Sequence, residues 1–216
     1  MPDYEIIEWN ESNFDIDCNA YVKEAYDAKK YAFVSDYARL KIVYENGGIY
    51  LDTDVELLKT IPDEALKNGY FAKEKENTIA TGLGFAAKKG EKIILELMES
   101  YNDEHFLMDD GNFNLITCVQ RVSDDLNKLG YSINSELTKV GELRVYSPEY
   151  FCGYDLDSNH YVITDNTISV HHYNATWLPI KKRFKKKLKR IISRIIGRKN
   201  YLKLRKLKRG KTDENN

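Results

Sequence analysis

Apolar and polar positions alternate between two periods along this chain. Tyr37, Leu40 and Tyr44, with Ala38 and Ile42, recur at helical spacing between Ser35 and Tyr44, where Ser35 or Asp36 is placed to cap the start. The same spacing predicts helices over Ala20–Lys30, Tyr31–Glu45, Ile93–Tyr101 and Leu115–Leu129, the last stopped by Gly130. Short apolar or alternating runs predict a strand over Tyr4–Trp9, another over Ile49–Asp52, and an extended segment over Val55–Leu58 before a helical turn at Pro62. Val145–Phe151 reads as a strand and loop, and Thr164–Trp177 as a β-rich stretch. Strands alternating with helices predict an α/β fold with a mainly parallel sheet, whose ligands gather beyond the carboxyl ends of its strands.

The pattern changes after residue 180. Phe184, Leu188, Ile191, Ile192, Ile195 and Ile196 draw an apolar stripe on a helix otherwise made of Lys and Arg; Gly197 interrupts it, and Tyr201, Leu202, Leu204 and Leu207 resume it. The chain therefore divides into a domain over 1–180 and a basic amphipathic tail over 181–216. The formal net charge of −1 conceals this division, because 17 Lys and Arg after residue 180 oppose only Asp213 and Glu214 there. An apolar stripe flanked by cations suits an anionic membrane surface, met through residues 181–211, better than nucleic acid, which the charge alone would also attract; a tail folded back on the acidic domain is the third option.

Composition narrows the setting. At 216 residues and 42% hydrophobic content the chain can bury one sizeable core. Cys18, Cys118 and Cys152 are odd in number and lack metal spacing, which points to reduced thiols. Met1–Glu5 lacks the basic and apolar runs of a signal peptide, and no stretch approaches the roughly 20 apolar residues of a membrane span. The expectation is a cytoplasmic protein, peripheral on the inner face of the cell membrane.

Chemistry concentrates at Asn46–Val55. Gly47 and Gly48 allow a sharp turn, Ile49–Leu51 forms the apolar run, and Asp52 and Asp54 follow, separated by one residue. In an extended segment residues two apart share a side, so the two carboxylates can converge on a hard divalent cation. An Asp-x-Asp also occurs in ordinary acidic loops. Asp36 and Arg39, three apart on a helix, can pair with each other as a simple ion pair. His171 and His172 sit side by side late in the chain, where an imidazole could complete a metal site or merely be half exposed. Gly82 and Gly84 fit either a strand bulge or a loop close to a sugar.

Ser35-Asp36-x-x-Arg39 followed by Gly47-Gly48-Ile49-Tyr50-Leu51-Asp52-Thr53-Asp54 resembles the signature of glycosyltransferases with an Asp-x-Asp sugar-binding region. It is most similar to glycosyltransferase family 32 and its bacterial capsular-polysaccharide enzymes, loosely from Pro2 to about Leu178. The resemblance implies a GT-A fold, Rossmann-like, that binds a nucleotide-sugar and Mn²⁺ or Mg²⁺. It assigns Ser35, Asp36, Arg39, Tyr50, Asp52 and Trp177 to nucleotide-sugar binding, and Asp52, Asp54 and His171 to the metal. Asp52 and Asp54 are also the catalytic carboxylates by this likeness, joined by Asp110 and Asn112 near the acceptor, although helix capping would explain that pair as well. His171-His172-Tyr173-Asn174-Ala175-Thr176-Trp177 resembles the family's closing His-His-x-x-x-Ser-Trp, with Thr176 where Ser is usual; His172 is the second choice of imidazole.

Members of that family open with a strand and helix that precede the segment starting at Pro2 here, so the likeness implies an N-terminally truncated domain. The expected function is a metal-dependent, retaining transfer of sugar from a nucleotide-diphosphate sugar to a glycan or lipid-linked acceptor in capsular or cell-surface polysaccharide synthesis. The alternative is an inactive remnant that binds a membrane surface or a partner through its basic tail.

Overall fold

The computed structural model describes residues 4–174 and 180–213, with side chains described up to residue 207. The order is α1 (Ala20–Asp27), α2 (Tyr31–Asn46), β1 (Gly48–Tyr50), β2 (Val55–Leu57), α3 (Asp63–Asn68), β3 (Tyr70–Lys75), β4 (Thr78–Ile79), a 3-10 turn (Thr81–Leu83), β5 (Phe85–Ala87), α4 (Lys92–Glu99) and α5 (Cys118–Lys128). Then come β6 (Lys139–Val140), β7 (Leu143–Tyr146), α6 (Pro148–Phe151), β8 (Tyr154–Asp155), β9 (His160–Tyr161), β10 (Ser169–His171), α7 (Ile180–Ile196) and α8 (Arg198–Asp213).

The central sheet runs β1-β5-β3-β7-β6, with β4 paired to β3. It is mixed rather than mainly parallel: β3 and β7 run parallel, and the other pairings are antiparallel. A partly parallel sheet between helices is compatible with a GT-A-like fold. Strand alternation decides which side chains serve which face. Phe71, Phe85, Leu143 and Val145 point into a core closed by α1, α2, α4 and α5. Tyr70, Ala72, Ala86 and Tyr146 point the other way, against Ile61, Phe151 and Ile168. Lys73 continues the first set and is fully buried, its ammonium donating to the carbonyls of Asn134 (2.6 Å) and Leu137 (2.9 Å).

Local signals account for several boundaries. The Asn19 side chain accepts from the Val22 amide at the start of α1, and Thr117 does the same for Gln120 at α5. Gly47, at φ +71°, ends α2 and turns the chain into β1. Other local expectations fail: Pro148–Phe151, expected as loop, is helical. Tyr4–Trp9 is not a strand; Ile6 is 86% exposed, and with no partner edge its brief alternation buries nothing. Ser35 and Asp36 do not cap α2, which begins four residues earlier at Tyr31, so both lie in its second turn.

Residues 180–213 form two helices broken at Gly197 (φ +77°). Their polar side meets the domain. Ser193 is fully buried, bonded to Ser158 and to His160 Nδ1 (2.9 Å), and Arg190 Nη2 donates to Tyr161 Oη (3.0 Å) and to the His172 carbonyl (3.1 Å). The stripe is left outward, with Ile180, Phe184, Leu188, Ile191 and Ile195 all exposed. No helix among the described residues is long and apolar enough to cross a membrane.

Candidate functional site

Two chain segments far apart in sequence build the site. β1 ends at Tyr50, and Asp52 to Asp54 form a turn closed by the Val55 amide donating to the Asp52 carbonyl (3.0 Å). The carboxylates therefore converge through a turn, not through the side-sharing of an extended strand. β2 then pairs antiparallel with β10, in a register that sets His171 opposite Val55. The ladder continues outward, the His172 amide donating to the Asp54 carbonyl (2.9 Å) and the Asn174 amide to Asp54 Oδ2 (2.8 Å).

This pairing brings His171 Nε2 to 3.0 Å from Asp54 Oδ1 and 3.7 Å from Asp52 Oδ2. One ligand atom from each of the three residues falls within 4.8 Å of the others. Two oxygens and an imidazole nitrogen form a donor set that suits a divalent cation with positions left over for other ligands. Both ring nitrogens of His171 are buried without an aligned hydrogen bond, so the imidazole faces the carboxylates in contact yet unsatisfied. A shared cation would satisfy Nε2, the nitrogen that faces the carboxylates, and on this ground the residues fit a metal.

The three groups also shift one another's proton affinity. Burial works against a charged His171, but the adjacent carboxylates of Asp52 and Asp54 outweigh it and raise the imidazole to about 8. Asp54 is lowered to about 2, chiefly by His171. Burial raises Asp52, and Arg39 with His171 and Tyr50 more than reverses this, leaving it lowered.

Asp52 is held from behind. Its Oδ1 accepts from Tyr50 Oη (2.8 Å) and lies 3.3 Å from Arg39 Nη2, which leaves Oδ2 toward His171. Arg39 is buried, 3.1 Å from Asp36 Oδ1, bonded through Nε and Nη2 to Ser35, and placed over the Tyr50 ring at 5.0 Å. Burial raises Asp36, against the pull of Arg39. The expected Ser35, Asp36, Arg39, Tyr50 and Asp52 thus form one connected network joined to Asp54 and His171.

The remaining expectations separate. His172 turns away, its Nε2 2.9 Å from Glu56 Oε2 and its Nδ1 2.8 Å from Tyr161 Oη. Asp110 and Asn112 share an exposed turn and bond to each other (2.9 Å), with no hydrogen bond or ion pair to the cluster among the described residues. Trp177 lies outside the described residues. Three further residues of the site were not among the expected site residues. Gly82 presses its backbone against Asp52 Oδ2, Thr81 Oγ1 lies 3.5 Å from Arg39 Nη1, and Cys118 Sγ lies 3.7 Å from the same nitrogen. Only the Gly-x-Gly of residues 82–84 hinted at a close approach, and it left the bulge reading open.

Comparison with known proteins bears on the first part of this network. The chain is 26% identical over 178 residues to "Subversion of eukaryotic traffic protein A" of Legionella pneumophila, covering 73% of the chain and 27% of that protein. It therefore spans about a quarter of the length of the curated relative it matches. No solved structure matches it. Residues 1–72 match the sequence profile of the glycosyltransferase sugar-binding region containing DXD motif. Ser35, Asp36, Arg39, Tyr50, Asp52 and Asp54 fall inside that match and His171 outside it, so the similarity to this family covers the first third of the chain and the greater part of the site.

Proposed function

We propose that this protein is a metal-dependent glycosyltransferase that binds a nucleotide-diphosphate sugar and transfers the sugar to a glycan or lipid-linked acceptor. The observation that carries the reading is the convergence of Asp52, Asp54 and His171 on one point, beside Arg39, where both carboxylates and the arginine belong to a segment similar to a sugar-binding region. Mn²⁺ or Mg²⁺ held by those three side chains would neutralise charge developing on the departing diphosphate, commonly a large contribution to catalysis.

The chain's own residues set the geometry. Arg39 and Tyr50 fix one oxygen of Asp52 and so aim the other. The β2–β10 ladder fixes His171 against Asp54. Gly82 leaves room beside Asp52. Ser35, Asp36, Arg39, Tyr50 and Asp52 are assigned to the donor. Retention of anomeric configuration, a cell-surface or capsular acceptor, and an anionic membrane address are parts of the same proposal; the first two rest on the resemblance, and the third on the outward apolar stripe among cations.

Thermal-shift screening of nucleotide-diphosphate sugars with and without Mn²⁺ tests it. A donor that raises the Tm of the protein only with the metal, and fails to do so with Asp54→Asn, is the expected result. No response to any donor, or an undiminished response in that variant, would overturn the assignment.

A further inference from the structure

A cavity of about 380 Å³ opens between α7, α8 and the turn that joins β8 to β9. Its cationic wall comes from Lys182, Lys185, Lys186 and Lys189 of α7 and Arg205 of α8, with Tyr201 beside them. The lysine spacing of three and four residues places all four on one side of the helix. That side is distinct from the outward stripe of Phe184, Leu188 and Ile195.

The walls are tied down. Tyr201 is buried and its hydroxyl accepts from Asn159 Nδ2 (3.0 Å). Arg205 Nη1 pairs with Asp157 Oδ1 at 2.8 Å, and Ser193 and Arg190 hold α7 to β9 and His172. Arg205 is thus neutralised and Lys186 is already committed to the Tyr173 carbonyl (3.1 Å). Lys182, Lys185 and Lys189 have no carboxylate within salt-bridge distance among the described residues. Three uncompensated ammonium groups around a fixed concavity favour a compact multivalent anion, since charge-assisted donors are the strong ones and an enclosing surface focuses their field.

We propose that this cavity binds a phosphate-bearing ligand, a phosphomonoester or diphosphate, through Lys182, Lys185 and Lys189. The volume suits a headgroup or a small phosphorylated molecule. Lys186 ties the cavity wall to the Tyr173 carbonyl, next to Asn174, whose amide donates to Asp54, so the cavity borders the Asp52–Asp54–His171 cluster while using other side chains. Phosphate of this kind can come from a lipid or from solution. Both sources enter the test.

The full-length protein is titrated in EDTA with inorganic pyrophosphate by calorimetry, and sedimented with phosphatidylcholine vesicles with and without phosphatidic acid. Lys182→Gln/Lys185→Gln/Lys189→Gln removes the wall, and Lys199→Gln/Lys203→Gln/Lys206→Gln removes the same charge from exposed positions of α8 outside the cavity. All six sites are exposed and Gln is a good helix former, so both variants should keep the wild-type melting curve. The expected result is a loss of about tenfold or more in affinity for one of the two probes in the first variant, and about twofold or less in the second, as strong charge-assisted contacts require. Loss confined to vesicles with phosphatidic acid identifies a lipid source, and loss confined to pyrophosphate a soluble one. Equal losses in the two variants, or no binding of either probe by the wild type, would overturn the proposal. Titration in EDTA, which strips any ion from the acidic cluster, keeps this result apart from the fate of the metal site.

Discussion

Gly82 and Asp52 stand so close that a β-carbon at residue 82 would lie 2.5 Å from Asp52 Oδ2 and 3.1 Å from Arg39 Nη1. Asp52 cannot swing aside freely, because Tyr50 and Arg39 hold its other oxygen. Gly82→Ala should therefore cost about 1–3 kcal/mol, as overpacking does, and should weaken Mn²⁺ binding. Calorimetric titration and urea unfolding read the two effects; wild-type values for both would show that the turn yields at no cost.

Arg39 carries a different burden. It is buried between Asp36 and Asp52, so Arg39→Met leaves two carboxylates without their cation. Removing one member of a buried ionic group usually costs about 3–5 kcal/mol. Urea unfolding of the metal-free variant should show a loss of that order, partly restored by adding Asp36→Asn. An unchanged midpoint would mean that water reaches the network.

The metal-free cluster should give the fold a pH signature. His171, raised to about 8 from an ordinary 6.5, contributes stability that is whole below 6.5 and is lost as pH rises through about 8. Asp54, lowered to about 2 from 3.8, contributes above 3.8 and loses this as pH falls through about 2. In EDTA the Tm should fall between pH 6.5 and about 8, and His171→Gln should flatten that decline. The same decline in both proteins would place its origin elsewhere.

The outward stripe of α7 makes a prediction about membranes. Phe184, Leu188 and Ile195 are 68%, 46% and 77% exposed, so changing all three to Ser should leave the Tm within about 1 °C, because surface changes are usually small. Each such side chain is worth roughly 1.5–3 kcal/mol when fully buried, so sedimentation with anionic vesicles should collapse. Vesicle binding equal to wild type would leave charge as the sole attraction.

Much of the Asp36–Arg39–Asp52–Asp54 network is legible in the sequence, because the information is local. Asp36 and Arg39 share a helix face through their spacing, and Asp52 and Asp54 sit beside a short apolar strand. The geometry that joins the carboxylates was misjudged, since a turn and not strand alternation brings them together. Tyr4–Trp9 shows the limit of short alternation, which specifies a strand only where a sheet edge accepts it. The mixed sheet was equally hidden, because direction is decided by which strands meet, as with β3 and β7. Thr81 and Cys118 owe their places to contacts across the fold, and nothing in their immediate neighbours announces them, whereas Gly82 shows only through a Gly-x-Gly open to two readings.

The β2–β10 ladder has a consequence for how the protein would be handled. Asp54 and Asn174 are 120 positions apart, so neither an unfolded chain nor one still missing its last strand owns a complete cation trap. Any ion captured there would bind the finished fold alone, and by mass action would guard it against unfolding and proteolysis in proportion to its concentration.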